Sequence, residues 1–134
     1  MPELPEVETI RRALEPVLVN CTVLELGLLH PRVSRHSNPE KLQRVAHGAV
    51  IKALSRRGKY ILIHFRDGRP AIVIHLRMSG NLILDHNLIV SPHLRAFFRF
   101  DSSFVLKFVD ARTFGTIFTD DSSAPEGYRT LGIE

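Results

Sequence analysis

The stretch AVIKALSRRGKYILIHFRDGRPAIVIHL, residues 49–76, decides the fold, because short runs of β-forming residues follow one another here with turn signals between them. The runs are 49–55, 60–65 and 71–76. Asp67-Gly68, between the second and third runs, is a dipeptide typical of tight hairpins. Neighbouring runs joined by so short a turn predict antiparallel strands.

The same β signal continues on both sides of this stretch. Further predicted strands are 22–29, 82–84, 93–100, 104–109 and 116–119. Many short strands at regular spacing indicate a sandwich or a barrel. Two helices are predicted besides, at 5–18 and 40–46, and the polar tail 120–134 has no predicted element. The predicted fold class is α+β, mostly β: an antiparallel β-sandwich flanked by an N-terminal helix and a second short helix.

The first helix starts almost at the beginning of the chain. Apolar residues from Val7 to Leu18 keep helical spacing, and Pro5 is suited to a first turn. Pro16 is expected to loosen or end the last turn. A helix that begins so early places Pro2 and Glu3 directly before a rigid element.

Composition excludes several classes of protein. The chain has 134 residues, 44% of them hydrophobic, and no apolar run near the ~20 residues that a membrane span needs. No secretory signal is visible, so we expect a cytoplasmic protein. The single cysteine, Cys21, rules out a disulfide framework or a cysteine-rich zinc site within this chain, and the histidines show no metal-ligand spacing. No metal and no cofactor are expected.

Positive charge is concentrated in the middle of the chain. Residues 41–80 contain nine Lys or Arg residues and one acid, Asp67, a local balance of +8, whereas the whole chain carries +4. Such a block suits a polyanion such as nucleic acid, but a solvated sheet face with scattered cations is an equally good interpretation.

Pro2 gives the chain a possible nucleophile. After removal of Met1 its nitrogen becomes a terminal secondary amine, and α-amines titrate near ~7.7–8.0, so part of it is free at neutral pH. A free secondary amine can attack a sugar C1′ and form an iminium ion, while Glu3 moves the protons. Proline at position 2 is common, so when it is taken alone an ordinary chain terminus is the simpler interpretation.

Four motifs, in order along the chain, resemble the formamidopyrimidine-DNA glycosylase family. They are PELPEVETIRR at 2–12, RRGKYILI at 56–63, HLRMSG at 75–80 and DARTFG at 110–115. The first and the last are long and specific. The chain is therefore similar to the N-terminal catalytic domain of that family, although Arg77 stands where many members carry a smaller residue.

The resemblance implies a base-excision repair enzyme that removes oxidised purines, 8-oxoguanine and formamidopyrimidines, and cleaves the strand by β,δ-elimination. Its partner would be double-stranded DNA with oxidised bases or abasic sites, bound by a monomer. Carried over residue by residue, Pro2 is the Schiff-base nucleophile, Glu3 protonates the sugar ring oxygen, and Lys59 contacts a phosphate near the lesion. Glu6 supports the same pocket and His75 also contacts DNA.

The resemblance further implies three residues that fill the hole left by an extruded base: Met78, Arg112 and Phe114. A thioether can occupy the space, a guanidinium can bond the orphaned base, and an aromatic ring can wedge the neighbouring step. For each residue singly, core packing or a surface cation is the simpler interpretation. Met78 lies beside Ser79-Gly80 and Phe114 beside Gly115, which places these two residues at turns and favours exposed tips.

The family's helix-two-turn-helix domain and four-cysteine zinc finger have no counterpart in residues 1–134, so a catalytically weak or inactive DNA-binding fragment is an alternative. A related glycosylase for oxidised pyrimidines is a second alternative, which the opening PELPE and the Arg112/Phe114 pair disfavour.

Overall fold

Eight strands and three helices form in residues 4–131, the part of the chain that the computed structural model describes. The helices are α1 (Leu4–Leu18), α2 (Pro39–Ala46) and α3 (Glu126–Arg129). The strands are β1 (Val23–Leu28), β2 (Ile51–Arg57), β3 (Tyr60–Phe65), β4 (Ile72–His75), β5 (Gly80–Asp85), β6 (Leu94–Phe100), β7 (Val105–Asp110) and β8 (Thr116–Thr119). Every predicted strand and both predicted helices are present, with bounds within two residues of those predicted.

The strands form two four-stranded antiparallel sheets, which confirms the predicted sandwich. The first sheet has the order β1-β6-β7-β5 and the second β2-β3-β4-β8. Apolar side chains from both sheets meet in one core, where Phe98, Leu106 and Phe108 of the first sheet join Ile61 and Ile74 of the second. Burying these surfaces is the main source of stability.

Helix α1 covers the free edge of β2. Glu15 accepts a hydrogen bond from the backbone N–H of Leu54 at 2.9 Å, and Arg11 donates to the Leu54 carbonyl at 3.4 Å. These bonds satisfy edge groups that would otherwise be open to another strand. Pro16 does not stop the helix, which ends two residues later at Leu18. The proline falls in the last turn, where it removes one backbone donor only.

Helix α2 lies along β1, at the edge of the first sheet. The Asn38 side chain caps its start by accepting from the N–H groups of Glu40 and Lys41. Gln43 donates to the Leu26 carbonyl of β1 at 3.2 Å. Each sheet therefore has one helix on an outer strand.

Helix α3 lies in the segment for which the sequence predicted no element. Tyr128, 1% exposed, packs with Val73 and Phe118 on the outer face of the second sheet. Arg57 places its guanidinium 5.0 Å from the Tyr128 ring and donates to the Leu131 carbonyl at 2.6 Å. The second sheet is thereby buried on both faces, so its central strands are apolar throughout and do not alternate.

Candidate DNA-binding and catalytic site

Most of the residues that the sequence singled out lie at one end of the second sheet. Arg57, Tyr60, His75 and Thr116 face one another in a single row across its four strands. The turn that contains Lys59 joins the first two strands at this row. The loops 76–79 and 111–115 also leave from it, because each connects one sheet with the other at this end.

The start of α1 is tied to the Lys59 turn by Arg56. Its guanidinium donates to the Glu8 carboxylate at 3.3 Å and to the Gly58 carbonyl at 2.9 Å. Gly58 has φ 59°, a left-handed conformation that glycine adopts without strain. Lys59 follows this glycine and is half-buried. The beginning of α1 and the Lys59 turn therefore form one unit at the end of the sandwich.

Glu8 holds several arginines at this junction. The hydrogen bond from Arg11, with a smaller contribution from Arg12, lowers the pKa of Glu8 to about 2. Its carboxylate is therefore ionised throughout the neutral range and keeps its contact with Arg56. Helical spacing alone gives no indication of this role for Glu8.

His75 is placed between aromatic and cationic neighbours. Its ring lies 4.2 Å from that of Tyr60, and its Nδ1 is buried with no hydrogen-bond partner in residues 4–131. Burial, reinforced by the nearby charges of Arg77 and Lys59, lowers the pKa of His75 to about 4. The imidazole is neutral at physiological pH, so it would meet a phosphate as a hydrogen-bond donor without a charge of its own.

This lowered pKa predicts a dependence of stability on pH. The unfolded chain takes up a proton on His75 near 6.5 and the folded chain only near 4. Acid therefore favours the unfolded chain, and the free energy of unfolding should fall as the pH drops through this window. Urea titrations at about pH 7 and pH 5 should show a smaller fall for His75→Gln than for wild type, whereas the exposed-site control His93→Gln should behave as wild type. Equal falls for wild type and His75→Gln would contradict the assignment.

A single buried carboxylate organises both connecting loops. Asp110, 1% exposed, accepts from the N–H groups of Arg112 and Thr113 at 3.2 Å each and from that of Gly115 at 2.8 Å. The hydroxyl of Ser79, in the other loop, also donates to it. Asp110 itself is the last residue of β7. One side chain therefore fixes loops 76–79 and 111–115 relative to each other.

The three residues expected to fill the space of an extruded base lie on these loops. Met78 is 55% exposed, and Arg112 is exposed as well. Phe114 is half-buried, with the Arg112 guanidinium 5.9 Å from its ring centre. A side chain that is 55% exposed does not belong to the core, so core packing does not explain Met78.

Both loops contain a residue in the left-handed region directly before the candidate inserting side chain. Arg77 precedes Met78 and Thr113 precedes Phe114, each with φ 55°. For a β-branched threonine this conformation is rare and costs on the order of 1–3 kcal/mol. A Cβ on the adjacent Gly115 would lie 2.3 Å from the Phe108 ring, so only glycine fits there. Contacts with the surrounding residues therefore hold loop 111–115 in a backbone conformation that its own residues disfavour.

The remaining predicted site residues lie apart or outside the described range. Glu6 is exposed on α1 and lines a shallow cavity of about 370 Å³ with Pro5, Thr9 and Ile10. No hydrogen bond within residues 4–131 connects Glu6 to the two loops. Pro2 and Glu3 precede the described residues.

Other features of the described part bear on the function. A larger groove of about 650 Å³ runs between β1 and α2 and contains none of the predicted site residues. Within residues 4–131, no cluster of three or more His, Cys, Asp or Glu side chains is arranged to hold a metal ion. No helix in that range is long and apolar enough to cross a membrane.

Besides Glu8, two further residues of this end, Asp110 and Arg35, were not predicted from the sequence. Asp110 was quoted within a motif but given no role, although an aspartate just before a turn commonly accepts from the N–H groups that follow it. Arg35 donates to the Phe114 carbonyl at 2.7 Å from a segment distant in sequence. No local pattern could have indicated that contact.

Comparisons with known proteins agree with this geometry. The family model of the formamidopyrimidine-DNA glycosylase N-terminal domain matches residues 1–117. The formamidopyrimidine-DNA glycosylase of Moorella thermoacetica is 39% identical over the whole chain, which covers 50% of that relative. The Streptomyces coelicolor protein is 42% identical, covering 92% of this chain and 45% of its own length.

Similar solved structures include complexes with DNA. A crystal structure of Lactococcus lactis Fpg with DNA containing an abasic site matches with a TM-score of 0.82 and 32% identity, covering 90% of this chain and 44% of that one. MutM in complex with DNA containing carbocyclic 8-oxo-G matches with a TM-score of 0.82 and 32% identity, covering 90% and 45%. The chain spans about half the length of the relatives it matches.

Proposed function

The chain belongs to the formamidopyrimidine-DNA glycosylase family, and we propose that it removes oxidised purines from double-stranded DNA and cuts the strand at the resulting abasic site. The observation that carries the proposal is the meeting, at one end of the sandwich, of the Lys59 turn, the start of α1 and both connecting loops. Similar proteins bind DNA that contains an abasic site or an 8-oxoguanine analogue.

Base extrusion would be supported by the two loops. Taking a base out of the stack costs a few kcal/mol and leaves a gap in the duplex. Met78 and Phe114 supply apolar groups for this gap and Arg112 a donor for the base left behind. Because Asp110 fixes both loops before DNA arrives, the protein need not order them on binding.

Lys59 and His75 would hold the backbone of the damaged strand beside the gap. Lys59 supplies a positive charge and the neutral His75 a hydrogen bond, so of these two residues Lys59 contributes the stronger salt dependence of binding. Because Arg56 ties the Lys59 turn to the start of α1, a sugar beside the phosphate held by Lys59 would lie near the start of that helix.

The chemistry would begin at the amine of Pro2 once Met1 is removed. The nitrogen attacks C1′ of the damaged nucleotide, the bond from C1′ to the base breaks, and the base departs with the proton that the amine loses. Glu3 protonates the ring oxygen as the C1′–O4′ bond opens, which leaves an iminium ion between Pro2 and C1′.

The iminium ion then acts as an electron sink for strand cleavage. Loss of the C2′ proton expels the 3′ phosphate, and loss of the C4′ proton expels the 5′ phosphate. Water hydrolyses the C=N bond, which restores the amine and releases the unsaturated aldehyde. Glu3 is the candidate group for accepting and returning these protons.

The test is base excision from matched duplexes. Protein whose intact mass shows Met1 removed is incubated with end-labelled DNA carrying 8-oxoguanine, a formamidopyrimidine, an oxidised pyrimidine or an undamaged base. We expect cleavage at both purine lesions, with phosphate on each side of the gap, and far slower cleavage at the pyrimidine lesion.

Faster cleavage at the oxidised pyrimidine would overturn the proposed substrate class. Salt-sensitive binding of damaged duplex without cleavage in any sample would instead identify a DNA-binding domain without chemistry.

A further inference from the structure

A second group of arginines extends from loop 76–79 to the side of both loops that faces away from Lys59, and Arg77, whose charge also lowers the pKa of His75, is its member nearest to Lys59. It consists of the cations Arg32, Arg35 and Arg77 together with the neighbouring His36, and we call it the distal cluster. All four residues are exposed. Arg77 comes from loop 76–79, and the other three come from the segment between β1 and α2.

The positive charge of the distal cluster is opposed only in part, because the Asp110 carboxylate, which raises the pKa of Arg35, has the smallest of the influences on that arginine. In the range 4–131, none of its three arginines forms an ion pair with a carboxylate. Burial lowers the pKa of Arg35, and repulsion from Arg32 and Arg77 lowers it further. Burial, Arg35 and Arg77 lower the pKa of His36 in the same way. Like charges held this close together favour a bound anion.

The distal cluster is built into the fold. Ile117 of β8 donates to the Val33 carbonyl at 2.8 Å, so the segment runs beside β8 as a neighbouring strand would. Arg35 donates to the carbonyls of Phe114 and Arg32, at 2.7 and 2.6 Å. The position of these cations is therefore fixed relative to the loop that carries Phe114.

The Lys59 turn and the Val33 segment, which carries Arg32 and Arg35, lie apart at this end of the sandwich. Going from the Lys59 turn, the order is β3, β4, β8 and then the segment containing Val33. Three steps at the usual spacing between neighbouring strands place the Val33 segment about 14 Å from β3. The inserting residues Met78 and Phe114 lie between the Lys59 turn and the Val33 segment, because their loops leave β4 and enter β8, and Arg77 precedes Met78 on the same loop.

We infer that the distal cluster binds phosphates of the DNA strand opposite the lesion, while Lys59 and His75 hold the damaged strand. A protein that wedges side chains into a base step from a groove has one sugar-phosphate backbone on each side of the wedge. The distal cluster supplies the cations that the second backbone requires. The inference rests on the proposed function, because it assumes that the two loops enter damaged duplex DNA.

The first experiment measures the salt dependence of binding to a duplex with a reduced, non-cleavable abasic site. Arg77→Gln and Arg32→Gln each remove one exposed charge, whereas Arg35 is left unchanged because it also supports the Phe114 loop. Each substitution should lower the slope of log Kobs against log salt by about one, and the double variant by about two. Lys52→Gln removes an exposed charge near the other end of β2 and should leave the slope unchanged.

The second experiment assigns the strand. Uncharged methylphosphonate linkages replace phosphates near the lesion, either in the damaged strand or in the opposite strand. Linkages in the opposite strand should weaken binding by wild type and leave the Arg32/Arg77 double variant almost unaffected, because both changes remove the same contact. Linkages in the damaged strand should weaken binding by both proteins equally.

Three outcomes separate this inference from the proposed function. Unchanged slopes in Arg77→Gln and Arg32→Gln, with a reduced slope in Lys59→Gln, would overturn the inference and leave the proposed function intact. If uncharged linkages in the damaged strand weakened binding by wild type but not by the Arg32/Arg77 double variant, the inference would also be overturned. The distal cluster would then contact the backbone of the damaged strand. Absence of any preference for damaged duplex in wild type would remove the proposed function and the inference together.

Discussion

Asp110→Asn should lower the free energy of unfolding by about 3 kcal/mol or more, the largest loss of stability expected for a single polar substitution at this site. The carboxylate accepts from three backbone N–H groups and from the Ser79 hydroxyl in a buried position. An amide keeps the shape but turns one acceptor into a donor, which then faces N–H groups. Buried donors left without an acceptor cost ~1–3 kcal/mol each.

The variant should also separate stability from lesion binding. At a temperature where Asp110→Asn remains folded by circular dichroism, its affinity for abasic-site duplex should still fall, because Met78 and Phe114 are no longer held in place. Asp101→Asn is the matched control, since this exposed carboxylate accepts a single backbone bond from Thr22. Chemical unfolding that gives equal losses for the two variants would show that Asp110 does not organise the loops.

Protein that retains Met1 should lose strand cleavage by on the order of 10³-fold or more, the scale expected when a nucleophile is removed. An amide nitrogen at Pro2 has no available lone pair, so no iminium ion can form. The measurement is single-turnover cleavage of a duplex with an abasic site, with the state of the terminus verified by intact mass.

Comparing DNA binding with strand cleavage shows whether the retained methionine affects the chemical step alone. The retained methionine should reduce affinity for non-cleavable abasic duplex far less than it reduces cleavage, because Lys59 and both loops are unchanged. Pro5→Ala, at the first turn of the same helix, should leave cleavage near wild type. Equal cleavage rates with and without Met1 would show that the terminal amine takes no part.

The strands and helices followed from local patterns, and the sequence predicted them well. Turn signals such as Asp67-Gly68 and the apolar runs on either side place each strand within two residues of its observed bounds. Helix α3 escaped prediction because its four residues depend on Tyr128 packing against Val73 and Phe118. A tertiary contact of this kind leaves no periodic signal.

The charge pattern was a poorer guide to the site. The basic block 41–80 does not form one face, since Lys41 pairs with Asp121 and Arg69 with Asp67. The distal cluster instead takes Arg32 from outside that block. Ion pairs between distant segments decide which cations stay available, and they are invisible in a linear count.

Within the site, motif positions were predicted better than the contacts that arrange them. The structure places Lys59, His75, Met78, Arg112 and Phe114 at one end of the sandwich. Their shared location depends on the crossing of both loops between the sheets. That crossing follows from strand order, which local patterns do not specify.

The most direct test of the account is to map the adduct formed when protein and abasic-site duplex react in the presence of borohydride. Reduction converts the iminium ion into a stable amine, and peptide mass spectrometry then locates the sugar remnant. We expect one adduct, on the nitrogen of Pro2 in protein that has lost Met1. An adduct on Lys59 or another lysine, or no adduct with fully processed protein, would contradict it.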